Sequence, residues 1–173
     1  MSSKEREELA CKYFHDGYNC SQSVAMAFSD ILGLEPVKVA ELMSGFGGGF
    51  GRMREVCGAV SGMTFVTGAL SPAADPSNKA ERTANYALVQ ELAGKFKEEN
   101  GSIVCRELLG LRAEHKGGVG TGGGSGTEMS QTAGASGMES PVPSDRTAAY
   151  YHSRPCERMV ASATRILAEK IGG

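Results

Sequence analysis

The run from Val56 to Ala74 carries no charged residue and is the longest such run in the chain. Just ahead of it stands Gly45-Phe46-Gly47-Gly48-Gly49-Phe50-Gly51, with five glycines in seven residues. Such a run has to be buried in protein or in lipid. Gly58, Gly62, Gly68 and Pro72 interrupt it, and Pro72 shortens it below the ~20 apolar residues a spanning helix needs. The expectation is a buried central helix from Cys57 to about Leu70, with Cys57 in its first turn, and no membrane span. Glycines at this density let the backbone take positive φ and come close to another group.

The remaining chain reads as helices. Leu9, Ala10, Tyr13 and Phe14 share one face of a helix over 4–15. Asn19, with Gln22 at the capping-box position, opens a second helix from Cys20 to about Leu32, with Val24, Ala27, Phe28, Ile31 and Leu32 inward. Pro36 suits the first turn of a third, with Val39, Leu42 and Met43 as its apolar face. Asp75 and Pro76 read as the cap and first residue of a long helix to about Glu99. Its inward face is Ala80, Ala84, Ala87, Leu88, Leu92 and Phe96. A short helix over 103–109 carries Cys105. A last one runs from Pro155-Cys156 to about Ile171, with Met159, Val160, Ala163, Ile166 and Leu167 on one face. No segment alternates as a strand does. The fold class is all-α, a single bundle of about six or seven helices.

Residues 113–149 differ from the rest. Gly117 to Gly137 holds nine of the 24 glycines, separated by serine and threonine. The domain organisation is therefore one helical unit, 1–112 with 150–173, and a Gly/Ser/Thr-rich insertion or linker at 113–149. A net charge of −2 and a pI near 6 give no reason to expect nucleic acid as a partner. The N-terminal residues show no signal-peptide core, so a cytoplasmic protein is expected. Gly58, Gly62 and Gly68 offer a small-residue face, which would suit packing against a second copy as a homodimer.

Five cysteines, Cys11, Cys20, Cys57, Cys105 and Cys156, form no C-x-x-C pair, and an odd count argues against a secreted disulfide framework. Cys20, Cys57 and Cys156 each fall in the first turn of a helix, where free N–H groups and the helix dipole favour a thiolate. Cys105 sits one turn into its short helix beside Arg106. Cys11 reads as structural. Four thiolates from four helices can ligate a metal centre, an iron–sulfur cluster or zinc, or can form disulfides that open and close. Separations of 37, 48 and 51 residues do not choose between them. The plain alternative is that all four are small buried hydrophobes.

The glycine loop does not complete G-x-G-x-x-G, follows no strand and lacks G-K-[ST], so it is not a dinucleotide or phosphate loop. Its expected role is to bring backbone N–H groups near the thiolates, with Arg52 and Arg54 adding positive charge. Gly47, Gly48, Gly49, Arg52 and Gly58 are the candidate cofactor-binding residues. His15, His115 and His152 are the candidates for a mixed ligand set.

Four blocks carry a resemblance: Tyr18-Asn19-Cys20-Ser21-Gln22-Ser23, Cys57-Gly58-Ala59-Val60-Ser61-Gly62, Cys105-Arg106-Glu107-Leu108-Leu109-Gly110 and Arg154-Pro155-Cys156. With Ser44 to Gly49 ahead of Arg52-Met53, they make the chain similar to the redox-active family that has four characteristic cysteines and a C-G-A-x-x-G motif. The resemblance covers about residues 5–112 and 150–171. It also extends to the helical domain of split-Soret cytochromes, and that relation implies an iron–sulfur cluster held by the equivalent cysteines. The absence of C-x-x-C-H means that haem attachment is not implied. The insertion at 113–149 and Cys11 depart from the family pattern.

The leading expectation is thus a small electron-transfer or redox protein using Cys20, Cys57, Cys105 and Cys156 around an iron–sulfur cluster, with an unknown electron donor and acceptor. A metal-free thiol–disulfide protein using the same cysteines is the first alternative. A non-catalytic helical module with structural zinc or no cofactor is the second.

Overall fold

A computed structural model describes residues 1–111 and 139–172. Nine α-helices lie among them: α1 (Ser3–His15), α2 (Cys20–Met26), α3 (Ser29–Leu32), α4 (Pro36–Met43), α5 (Gly58–Leu70), α6 (Lys79–Asn100), α7 (Cys105–Leu108), α8 (Ala148–Ser153) and α9 (Cys156–Gly172). The only pairing outside the helices there is one antiparallel bridge between Val56 and Val104. The all-α expectation holds. Two differences account for the higher helix number: the expected second helix is divided in two, and α8 was not foreseen.

The division follows from Arg6. Its buried guanidinium donates to the Ala27 carbonyl (2.7 Å) and to both Asp30 oxygens (2.8 Å each), and lies over the Phe28 ring. The Ala27 carbonyl is thereby satisfied by a side chain rather than by a continuing helix. A new turn starts at Ser29 and stops at Gly33, which takes the left-handed conformation.

α5 is buried over its first three turns, as its uncharged sequence requires. It packs on α2, and α2 in turn meets α1, α4 and α9. Gly62 sets this approach, since a Cβ there would lie 2.6 Å from the Ser21 carbonyl oxygen. Gly58 is closely packed too, though less tightly, with a Cβ there 3.1 Å from the Phe46 carbonyl oxygen and 3.3 Å from Cys20 Cβ. These two glycines are spent on packing within the chain, and Gly68 faces open space. Phe14, Phe28, Phe96, Met43, Met63, Leu92, Met159 and Leu167 fill the core, and α1 lies along α9.

Three expectations are corrected. Leu42 is exposed, so α4 buries only Val39, Ala40 and Met43. Asp75 does not cap α6: it accepts from the N–H and hydroxyl of Ser77 (2.8 and 2.7 Å). Asn78 caps instead, accepting from the Glu81 N–H (3.1 Å), and the helix starts at Lys79. Its Ala80, Ala84 and Ala87 are exposed, while Leu92 and Phe96 are buried. Alanine offers little apolar area, so the first half of the helix gains little by seating on the core.

No helix among the described residues is long and apolar enough to cross a membrane. Within the stretch expected as an insertion, residues 113–138 lie outside the described residues. Residues 139–149 are described, and Glu139, Ser140 and Ser144 among them bond to Arg52 of the glycine loop.

Candidate functional site

The four singled-out cysteines occupy equivalent places. Cys20, Cys105 and Cys156 are the first residues of α2, α7 and α9, and Cys57 is the N-cap of α5. Cys105 therefore joins the other three at a helix start, one turn earlier than expected. The arrangement is built by local devices. Asn19 caps α2, accepting from the N–H groups of Ser21 and Gln22 (3.0 Å each), and its amide donates to the Ser44 carbonyl (3.0 Å). Residues 54–57 run antiparallel to 103–106: the Cys57 N–H donates to Ile103 (2.8 Å) and the Cys105 N–H to Glu55 (2.6 Å). That short ladder, centred on the Val56–Val104 bridge, sets Cys57 opposite Ile103 and Cys105 opposite Glu55, so the two cysteines lie diagonally across it.

The glycine loop bends the chain into this pairing. Residues 48 to 52 all have positive φ, from 55° to 70°, and Arg54 has 61°. Gly48, Gly49 and Gly51 adopt this freely, whereas Phe50, Arg52 and Arg54 are strained. A Cβ on Gly49 would lie 2.7 Å from the Glu55 nitrogen and 2.8 Å from Cys105 Cβ. Five of the loop's amides are turned inward. The N–H groups of Phe50, Gly51, Arg52, Arg54 and Glu55 donate to carbonyls of residues 45 to 49. The loop contributes arginine side chains to the cavity and a close approach to Cys105.

All four cysteines line one cavity of about 370 Å³. Gly47, Gly48, Arg52 and Gly58 also line it, but Gly49 does not: it is buried behind Cys105. Four arginines, Arg52, Arg54, Arg146 and Arg154, form part of the wall, and no aspartate or glutamate does so among the described residues. His15 and His152 are absent from the wall; His15 pairs with Glu157 (2.9 Å) on the surface. His115 lies outside the described residues. Cys11 is half-buried elsewhere, its thiol pushed up to about 11 by burial.

All five cysteines are free thiols. Their electrostatics divide them. Burial pushes Cys57 up to about 12, although the N–H groups of Ala59 and Val60 at the start of α5 favour its thiolate. Burial also raises Cys105, against the pull of the Arg54 guanidinium beside it. Cys20 and Cys156 interact and are driven apart in acidity. Cys20 is raised, and Cys156 is lowered to about 7 by Cys20 with help from Arg154, Arg54 and Arg146. One thiolate at neutral pH is the chemistry this wall supports without any added group.

Sequence reasoning left out Glu139, Ser144, Arg146 and Tyr150. Glu139 accepts from Arg52 Nη2 (2.7 Å), from Arg54 Nη2 (2.6 Å) and from Arg54 Nε. Ser144 takes weak bonds from Arg52 (3.2 Å) and Arg154 (3.4 Å). Arg146 lies over Phe14 and Tyr150, both 4.7 Å from its guanidinium carbon, and donates to the Tyr18 carbonyl (3.0 Å). The composition of 113–149 hid three of these residues. Only Arg146, a lone arginine ahead of a tyrosine pair, carried any signal.

A helical bundle that brings four thiols from four helix starts to one arginine-lined cavity defines a cysteine-centred protein of the redox class. The chain belongs to the family described as "Putative redox-active protein (C_GCAxxG_C_C)", whose model matches residues 18–170. No curated protein and no solved structure matches it.

Proposed function

We propose that the protein transfers electrons through an iron–sulfur cluster whose ligands are Cys20, Cys57, Cys105 and Cys156. The observation that supports this reading is the convergence of four thiols on one cavity with a cationic wall. No group of three or more Cys, His, Asp or Glu side chains among the described residues is placed to hold a single metal ion. A cluster takes its thiolates around a core of several atoms, and the four thiols that line this cavity are the groups that would hold it. Four thiolates also need charge compensation in a partly buried place, and Arg52, Arg54, Arg146 and Arg154 supply it. When bound, such a cluster would take up and release single electrons. The chain's own residues then set its potential: the Arg54 guanidinium beside Cys105, the Ala59 and Val60 N–H groups near Cys57, and the extent of burial.

A second reading rests on the Cys20–Cys156 pair. In a metal-free chain the Cys156 thiolate would attack a disulfide of an oxidised partner and displace one partner thiolate. Cys20, giving up its proton, would then displace the second. The pair closes as a disulfide and the partner leaves as a dithiol, having gained two electrons.

Anaerobic purification separates the two readings. A cluster protein is expected to be brown, with about equal iron and acid-labile sulfide. A colourless, iron-free preparation that loses two or four free thiols on oxidation would sink the cluster reading and favour the dithiol one.

A further inference from the structure

Arg52 and Arg54 both leave the backbone from positive-φ positions and close on one carboxylate. Arg54 grips Glu139 with two nitrogens, the fork geometry by which arginine recognises a planar oxyanion. Arg52 adds a third bond, and its Nε donates to the Ser140 carbonyl (2.8 Å). Among the described residues the charges do not balance. Arg52, Arg54 and Arg154 gather around Glu139 and Ser144, three guanidiniums against the Glu139 carboxylate and the Cys156 thiolate. The arginine side chains are 12% and 10% exposed, but Glu139 is 32% exposed, so solvent reaches the acid while the fork stays sheltered. The segment that Glu139 anchors supplies Pro141, Pro143 and Ser144 to the cavity wall.

We infer that the Arg52–Arg54 fork is a binding site for a small oxyanion carrying two negative charges, which Glu139 fills as a displaceable internal occupant. A dianion matches the excess positive charge better than one carboxylate does. Its entry would release residues 139–144 from the glycine loop and open the cavity beside Cys156. This deepens the redox reading, and rests on it only in taking this cavity as the working site. The site itself needs neither iron nor a disulfide.

The full-length chain and its Glu139→Gln variant are titrated calorimetrically with succinate and, separately, with inorganic phosphate. Sodium chloride at matched ionic strength is the control. An internal carboxylate competes at an effective concentration in the millimolar range, so its removal is expected to tighten binding by about tenfold. Tightening for succinate alone assigns a dicarboxylate, and for phosphate alone a phosphate group; either supports the site. Arg54→Ala in the Glu139→Gln background is expected to remove the gain. Equal affinity in the variant and the unaltered chain overturns the inference, and so does a gain that survives Arg54→Ala. Should Glu139→Gln not fold, amide exchange over residues 139–146 of the unaltered chain decides. Faster exchange with either dianion than with sodium chloride supports displacement, and unchanged exchange overturns it. Iron and sulfide are measured in the same samples, so failure of the cluster reading registers separately.

Discussion

The single residue with the sharpest chemical signature is Cys156. Its thiol is lowered to about 7 chiefly by Cys20, with help from Arg154 and other arginines. In the metal-free chain, the rate of iodoacetamide labelling at Cys156 should rise to half its maximum near pH 7, where an ordinary cysteine needs a pH well above 8. Cys20→Ala removes the proton donor, so the labelling profile should move to higher pH. A profile that stays put would show that the arginines alone set the value. Sign matters for stability too. A depressed thiol stabilises the fold above its unfolded value, and that contribution is lost as pH falls through 7, while the raised Cys20 works in the opposite sense. The pair is therefore better read by reactivity than by unfolding. At this scale the sequence was legible for Cys20, Cys57 and Cys156, because caps, a proline and an uncharged run mark helix starts locally. The proximity of Cys20 to Cys156 was not legible, since nothing in the 135 intervening positions encodes which thiol meets which.

Among elements, the left-handed turn at 48–52 and α5 make a pair of opposite expectations for glycine. Gly49→Ala places a Cβ within 3.0 Å of three atoms at a φ of 70°. It should destabilise the protein by more than about 2 kcal/mol, since strain and overpacking add. Gly68→Ala in the last turn of α5 meets nothing within 4 Å, and should stabilise by up to about 1 kcal/mol. Urea midpoints of the two variants check both, and a reversal of sign in either would refute the assigned backbone. The run of glycines announced a special turn, but its handedness and its internal hydrogen bonds depend on where 103–106 pairs. Another element-level miss has the same origin. The break after Met26 needs Arg6, 21 residues before Ala27.

For the molecule as a whole, the working unit is the set of four cysteines rather than any pair, and Cys11 is the internal control. If a cluster is held, Ser in place of Cys57 or Cys105 should cut the visible absorption and iron content several-fold, while Cys11→Ser leaves both unchanged. Equal iron loss on all five substitutions would point to general unfolding. The bundle class was legible because helical periodicity recurs along most of the chain. The common cavity was not, because it is assembled from contacts between distant segments. One consequence lies in time. Because α1 lies along α9, the first and last helices described dock on each other, and Cys156 reaches its place only with that docking. Folding that waits for such a distant contact is slow for a helical protein. Until it is complete, three thiols stand without their fourth, so the order of events should be closure first and any loading of the cavity afterwards.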